Sequence, residues 1–123
     1  MTTLLYAGIL ALLAVLLANQ VLYVRLRGAA EPPWRADATL RVQANFVENV
    51  PLALVLLLVL EVGGIGETAM HLLGSALVAC RILHAWGMSR TEGANYPRLI
   101  GAQGTFALLS IMGVAAIYRA LVY

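Results

Sequence analysis

Three polar residues near the middle of the chain have the types and spacing to bind a small zwitterion. Arg41, Asn45 and Glu48 advance by four and then three positions, which places them on one face of an α-helix. Arginine offers a planar fork to a carboxylate, asparagine both donates and accepts, and glutamate would take an ammonium. This α2 stripe, named for the second predicted helix, therefore indicates a site for a peptide-like ligand that carries both charges.

Four apolar stretches must position this stripe, and each is long enough to be a transmembrane helix. About 20 residues rising 1.5 Å each cross a hydrocarbon core of roughly 30 Å. The predicted helices cover residues 4–24, 42–62, 68–88 and 99–121. The fold prediction is therefore an all-α integral membrane protein, in which residues 1–123 form a single domain, a bundle of four transmembrane helices.

The composition agrees with a membrane protein and argues against a nucleic-acid-binding one. The chain is 62% hydrophobic and 11% charged, whereas an average soluble domain has about a quarter of charged residues. All eight basic residues are arginines at separated positions, so no basic patch for nucleic acid is expected. The lipid bilayer is the expected surrounding, and no nucleic acid is expected as a partner.

The arginines also predict an orientation in the membrane. Those in or beside the polar connections after the first and third stretches are Arg25, Arg27, Arg35, Arg41, Arg90 and Arg98. The connection after the second stretch has none. The positive-inside rule then places the first and third connections in the cytoplasm and both termini outside. In a bacterium this membrane would be the inner membrane.

Polar residues within the four stretches share one depth, in the half predicted to be cytoplasmic. They are Asn19, Gln20, Arg41, Asn45, Glu48, Arg81, His84 and Gln103. An ionisable group at such depth costs roughly 2.5 to 3.5 kcal/mol, so a cluster of them indicates a functional site. The competing interpretation is a structural ion pair, for instance between Glu48 and Arg81.

At this point the sequence resembles the MAPEG family, the membrane-associated proteins of eicosanoid and glutathione metabolism. The family's signature in helix two is an Arg, an Asn four residues on, a Glu three further and a Pro three further still. The residues that match this signature, with a Gln between, are Arg41, Gln43, Asn45, Glu48 and Pro51. Residues 81–87 look most like an uncharacterised bacterial branch. The resemblance implies a homotrimer that binds glutathione as co-substrate between neighbouring subunits near the cytoplasmic side, without a metal.

The resemblance also assigns roles position by position. The residues that it implies for glutathione binding are Arg25, Arg27, Arg41, Gln43, Asn45, Glu48 and His84. Arg98 lies where the family places the arginine that stabilises the thiolate, so it is the catalytic candidate. Arg81 lies deeper and is assigned a structural polar role.

The chemistry implied by these roles is thiol activation. A free thiol has a pKa near 8.5, and a nearby guanidinium favours the thiolate. The thiolate of glutathione would attack a lipophilic electrophile or hydroperoxide that arrives from the bilayer. The predicted function is therefore that of a membrane-bound glutathione-dependent transferase or peroxidase.

Two other function classes stay open. Asn49, His84 and Met88 occupy positions where well-studied transferases of the family have tyrosine, which leaves a non-catalytic glutathione-binding or scaffold protein as the alternative. His84 either replaces a tyrosine as hydrogen-bond donor or is an interhelical residue. A small multidrug transporter is the third class, but it is disfavoured because residues 4–24 contain no acid to carry protons.

Overall fold

The computed structural model describes residues 1–27, 33–90 and 96–122. They form α1 (Thr2–Arg27), α2 (Pro33–Val62), α3 (Glu67–Arg90) and α4 (Tyr96–Val122). All four helices are long and apolar enough to cross a membrane. The predicted all-α fold of four transmembrane helices is therefore confirmed.

All four helices begin earlier than the apolar stretches indicate, and two of them do so by three residues or more. α2 starts at Pro33 rather than at residue 42, and α4 starts at Tyr96 rather than at residue 99. Pro33 and Pro97 lie outside the apolar stretches of the sequence, yet both lie in the first turn of a helix. The first four N–H groups of a helix have no intrahelical acceptor, so proline loses nothing there. Consequently Arg35 belongs to α2 and not to a loop.

The four helices pack as a bundle in which α1 lies against α2 and α3, and α4 lies against α3 and α2. The large apolar side chains that are most completely buried at its centre are Leu10, Leu57, Leu60, Met70, Leu77 and Met112. Large apolar side chains such as Leu12, Val55 and Ile117 remain exposed on the outside. A water-soluble surface would not carry so many of them, whereas lipid is a suitable solvent for such a surface.

Two glycines let α3 and α4 cross in direct backbone contact. A Cβ at Gly101 would lie 2.5 Å from the main-chain oxygen of Cys80 and 2.5 Å from the main-chain nitrogen of His84. A Cβ at Gly104 would lie 2.5 Å from the Cys80 sulfur. Small residues permit close approach between membrane helices, where no hydrophobic force draws helices together. This crossing fixes the first turns of α4, including Arg98, beside the second half of α3.

The opposite end of the bundle is held by polar contacts between helix ends. The Glu61 carboxylate accepts hydrogen bonds from the main-chain N–H groups of Thr2 and Thr3, at 2.5 and 3.2 Å, and so caps α1. The Arg119 guanidinium of α4 donates to the Gly63 main-chain oxygen after α2. These contacts hold the start of α1, the end of α2 and the end of α4 together.

Candidate functional site

The α2 stripe is open to its surroundings in a single chain. Arg41 and Glu48 are exposed and Asn45 is partly buried. The Arg41 Nε atom lies 3.1 Å from Asp37 Oδ2, one turn earlier, and both side chains are more than 60% exposed (62% and 64%). An ion pair so exposed contributes only about 0–1 kcal/mol. Glu48 makes no ion pair or hydrogen bond with any residue in the described ranges.

Asn45 adds a side-chain oxygen that accepts no hydrogen bond from the described residues. Its Oδ1 atom is buried and makes no hydrogen bond among the described residues. The nearby Asn49 side chain donates instead to the Asn45 main-chain oxygen, at 2.8 Å. A buried polar atom without a partner costs about 1–3 kcal/mol, so this oxygen is suited to receive an N–H group from outside the chain. Gln43, two residues earlier, is partly buried.

Arg81 occupies the interior of the bundle and not the stripe. Its side chain is 1% exposed, and Nη1 donates to the Thr105 hydroxyl of α4 at 3.4 Å. The guanidinium also lies over the Phe46 ring of α2, 5.8 Å from its centre. The ion pair with Glu48 that the sequence suggests is not formed. Phe46 and Glu48 are two positions apart, about 200° around the helix, so Phe46 faces α3 while Glu48 faces away.

His84 and Arg98 lie on the two sides of the α3 and α4 crossing. His84 is 5% exposed, one turn after Arg81, and its Nδ1 atom has no hydrogen-bond partner within the described residues. Arg98 is half-buried, one turn before Gly101, which is the residue that contacts the His84 backbone. The structure thus brings Arg98 and His84 to the same end of the same helix crossing.

The arginines of α1 make no hydrogen bond or ion pair with the α2 stripe among the described residues. Arg25 and Arg27 are exposed at the end of α1, and the Arg27 guanidinium lies over the Tyr23 ring at 5.5 Å. Three cavities of about 510, 560 and 360 Å³ lie elsewhere, and none of the three is lined by a residue of the α2 stripe. A single chain therefore presents one wall of the candidate site.

Several polar partners in the bundle are not among the residues predicted from the sequence. Thr105 was detectable in principle, because it follows Gly101 by four residues and so shares the glycine face of α4. A second polar cluster at the opposite end was also missed. There the Tyr6 hydroxyl lies 2.8 Å from His71 Nδ1, and His71 Nε2 lies 3.8 Å from Glu67 Oε1. The expectation that the polar groups share one level is therefore corrected to two levels, because Tyr6, His71 and Glu67 meet at the opposite end of the bundle.

Comparison with known proteins identifies the family. The model of the MAPEG family matches residues 3–118. Inner membrane protein YecN of Escherichia coli (strain K12) is 30% identical over 95 residues, which cover 71% of this chain and 70% of that protein. YecN of Escherichia coli O6:H1 (strain CFT073) matches with the same identity and coverage. No solved structure matches the chain significantly. With a family match over nearly its whole length, the chain belongs to the MAPEG family.

Proposed function

We propose that the protein is a membrane-bound glutathione-dependent transferase or peroxidase. The observation that carries the proposal is the α2 stripe, in which a guanidinium, a buried amide oxygen and a carboxylate follow one another along a MAPEG helix, the last two without a partner in the part of the chain that the structure describes. Glutathione has two carboxylates, one ammonium group and two peptide units. These groups are complementary to Arg41, to Glu48 and to Asn45 in turn.

The other residues predicted to bind glutathione, Arg25, Arg27 and Gln43, would come from a neighbouring subunit if the protein is a homotrimer. Arg41 and Glu48 are exposed. Arg25 and Arg27 at the end of α1 are exposed as well and make no hydrogen bond or ion pair with the stripe among the described residues. A neighbouring subunit that packs α1 against this face of α2 would bring these arginines to the carboxylates of glutathione. Gln43 is partly buried and lies about 200° around α2 from Arg41, so it would contact a glutathione held by the stripe of a neighbouring subunit.

Arg98 is the residue that we assign to thiol activation. A guanidinium close to the glutathione sulfur favours the thiolate, and the thiol proton leaves to solvent. With an electrophile, the sulfur forms a bond to carbon and the leaving group departs with the electron pair. With a lipid hydroperoxide, two glutathione molecules become one disulfide, and the hydroperoxide becomes an alcohol and water. The exposed apolar faces of the helices support a second substrate that arrives from the bilayer.

The proposed location is a bacterial inner membrane, with the candidate site on the cytoplasmic side and both termini outside. The Escherichia coli relative is named an inner membrane protein. The arginines at the end of α1 and the start of α2 lie at the same end of the bundle as the stripe, which agrees with the positive-inside rule. Cytoplasmic access would also give the site its supply of glutathione.

A glutathione-binding protein without turnover is the second candidate. Asn49, His84 and Met88 stand where hydroxyl groups occur in well-studied relatives, and His84 and Met88 are buried against the bundle. In this reading the stripe would still hold glutathione. The sulfur would have no acidic side-chain hydroxyl beside it.

Isothermal titration of glutathione into the detergent-solubilised protein tests the proposal, followed by conjugation to a generic aryl halide and reduction of a lipid hydroperoxide. S-methylglutathione, which has no thiol, is the matched control and should bind without reacting. Binding together with either turnover supports the enzyme, and binding without turnover supports the second candidate. Absence of glutathione binding would contradict both.

A further inference from the structure

A cavity of about 560 Å³ lies between α1, α2 and α3, at the end of the bundle where α1 finishes and α2 begins. Its wall is formed largely by apolar side chains, including Leu13, Leu17 and Val42. Ligand sites are typically of this size, mostly apolar, and carry a few polar groups that fix orientation. The cavity therefore has the size and lining of a site for a hydrocarbon chain.

The rim of this cavity is polar and positively charged. Arg35 of α2 and Tyr23 of α1 both line it, and the Arg27 guanidinium lies over the Tyr23 ring at 5.5 Å. No aspartate or glutamate is among the lining residues. A basic opening between transmembrane helices attracts the anionic head group of a lipid. The ligand that fits both the apolar wall and the basic rim is therefore a lipid with an acyl chain and an anionic head group.

The height of the cavity matches one leaflet of a bilayer. On α1 its lining extends from Leu13 to Val24, which is about 16 Å at 1.5 Å per residue. Half of a hydrocarbon core of roughly 30 Å is about 15 Å. Leu16, Ile82 and Trp86 line the cavity and are each half-exposed, so it opens sideways toward the bilayer. A two-chain lipid can insert one chain here while its second chain stays in the membrane.

We propose that this cavity binds one acyl chain of an anionic phospholipid, with the lipid phosphate at Arg35. The site is separate from the α2 stripe, because Arg41, Asn45 and Glu48 do not line the cavity. Arg41 and Val42 are neighbours in sequence but point about 100° apart around α2. The lipid site therefore does not depend on the proposed function, and glutathione should not displace the lipid.

Native mass spectrometry of the intact protein in a mild detergent tests the proposal with three probes. They are phosphatidylglycerol, phosphatidylcholine with the same chains, and palmitate. Phosphatidylglycerol should be retained about fivefold more than phosphatidylcholine, the gain expected from one arginine near an anionic head group. Arg35→Gln should abolish this preference. Arg25→Gln removes an exposed arginine at the same end that does not line the cavity, and it should keep the preference.

Filling the cavity gives an independent measurement of the chain site. Ala85 lines the cavity, and Ala85→Phe should reduce retention of both phospholipids. If that variant does not fold, the comparison of Arg35→Gln with the unaltered protein decides, with thermal unfolding to establish that Arg35→Gln, a change at an exposed residue, is folded. Equal retention of the two phospholipids by the unaltered protein would overturn the proposal. Stronger retention of palmitate would assign the cavity to free fatty acid. Loss of oligomers in Ala85→Phe with unchanged lipid retention would assign it to a second copy of the chain.

Discussion

The Arg81 guanidinium of α3 donates a hydrogen bond to the Thr105 hydroxyl of α4 across 3.4 Å, and both side chains are fully buried. Thr105 in turn donates to the Gly101 main-chain oxygen of its own helix, at 2.8 Å. The hydroxyl hydrogen is thereby directed away from Arg81, which leaves the oxygen lone pairs for the guanidinium. This pair links α3 and α4 at the point where the backbones are closest.

Replacing Thr105 with valine should destabilise the bundle, because valine keeps the shape of threonine but cannot accept a hydrogen bond. A buried donor that loses its acceptor costs about 1–3 kcal/mol, and a charged donor costs more. Thermal unfolding in detergent measures the effect. Ser110→Ala is the control, since the exposed Ser110 hydroxyl donates to Phe106 within α4 alone. Identical melting temperatures for Thr105→Val and the unaltered protein would contradict the role of the pair.

Glu48→Gln should weaken glutathione binding more than it weakens the fold. Glu48 has no partner among the described residues, so the fold does not depend on its charge. A hydrogen bond to a charged group contributes about 1.5–3 kcal/mol, so affinity should fall by about tenfold or more. Glu67→Gln, an exposed glutamate at the other end of the bundle, is the control for calorimetry and thermal unfolding. Unchanged affinity in folded Glu48→Gln would remove Glu48 from the site.

Arg98→Ala should leave glutathione binding to the α2 stripe but impair thiol ionisation. The pKa of the bound thiol should rise toward its free value of about 8.5, because the charge that favours the thiolate is gone. The thiolate fraction at neutral pH then falls, and turnover falls with it. Activity should recover as the pH is raised through the new pKa. Ultraviolet absorbance of the thiolate, titrated against pH, measures the shift.

Arg81→Ala is the counterpart to the Arg98 variant. Arg81 is buried between α2, α3 and α4, so its loss should impair folding before it alters the bound thiol. A bound-thiol pKa that is raised by Arg81→Ala and unchanged by Arg98→Ala would exchange the two roles.

The helix crossing gives a prediction about stability that is independent of any ligand. Gly101→Ala places a Cβ against the backbone of Cys80 and His84, which cannot move as a flexible side chain would. Overpacking of this kind costs about 1–3 kcal/mol. Gly113→Ala on the same helix meets nothing within 4 Å, and it should stabilise α4 by about 0.5–1 kcal/mol. Thermal unfolding of the two variants should move in opposite directions, and equal melting temperatures would contradict the close crossing.

The helices are predictable from the sequence because the length of an apolar stretch is a local property. The early starts of α2 and α4 are not predictable in this way, because a proline such as Pro33 or Pro97 has two possible meanings in a sequence. It interrupts a helix when it lies in the interior, but it fits well in the first turn. The resemblance to MAPEG proteins is also a local property, carried by the spacing of Arg41, Asn45 and Glu48. The sidedness in the membrane, the trimer and the roles of the site residues stay predictions.

The surroundings of Arg81 show where sequence reasoning ends. Depth alone allows Glu48 as its partner, because the two residues lie at similar levels along their helices. The rotation of α2 about its own axis determines which residue meets Arg81, and it turns Phe46 toward the guanidinium. That rotation is set by packing among three helices, which no single stretch of sequence encodes.

The contact between Arg41 and Asp37 makes the aspartate an intramolecular competitor for any anion that approaches the α2 stripe. Under the proposed function, glutathione binds by exchange and must release Asp37 to solvent. A molecule that carries a single carboxylate gains little from this exchange, whereas one that also offers an ammonium to Glu48 gains a second contact. Because this exposed pair contributes only about 0–1 kcal/mol, Asp37 would lower the affinity of Arg41 for a simple carboxylate by about fivefold at most, and the ammonium contact to Glu48 would offset that loss for glutathione.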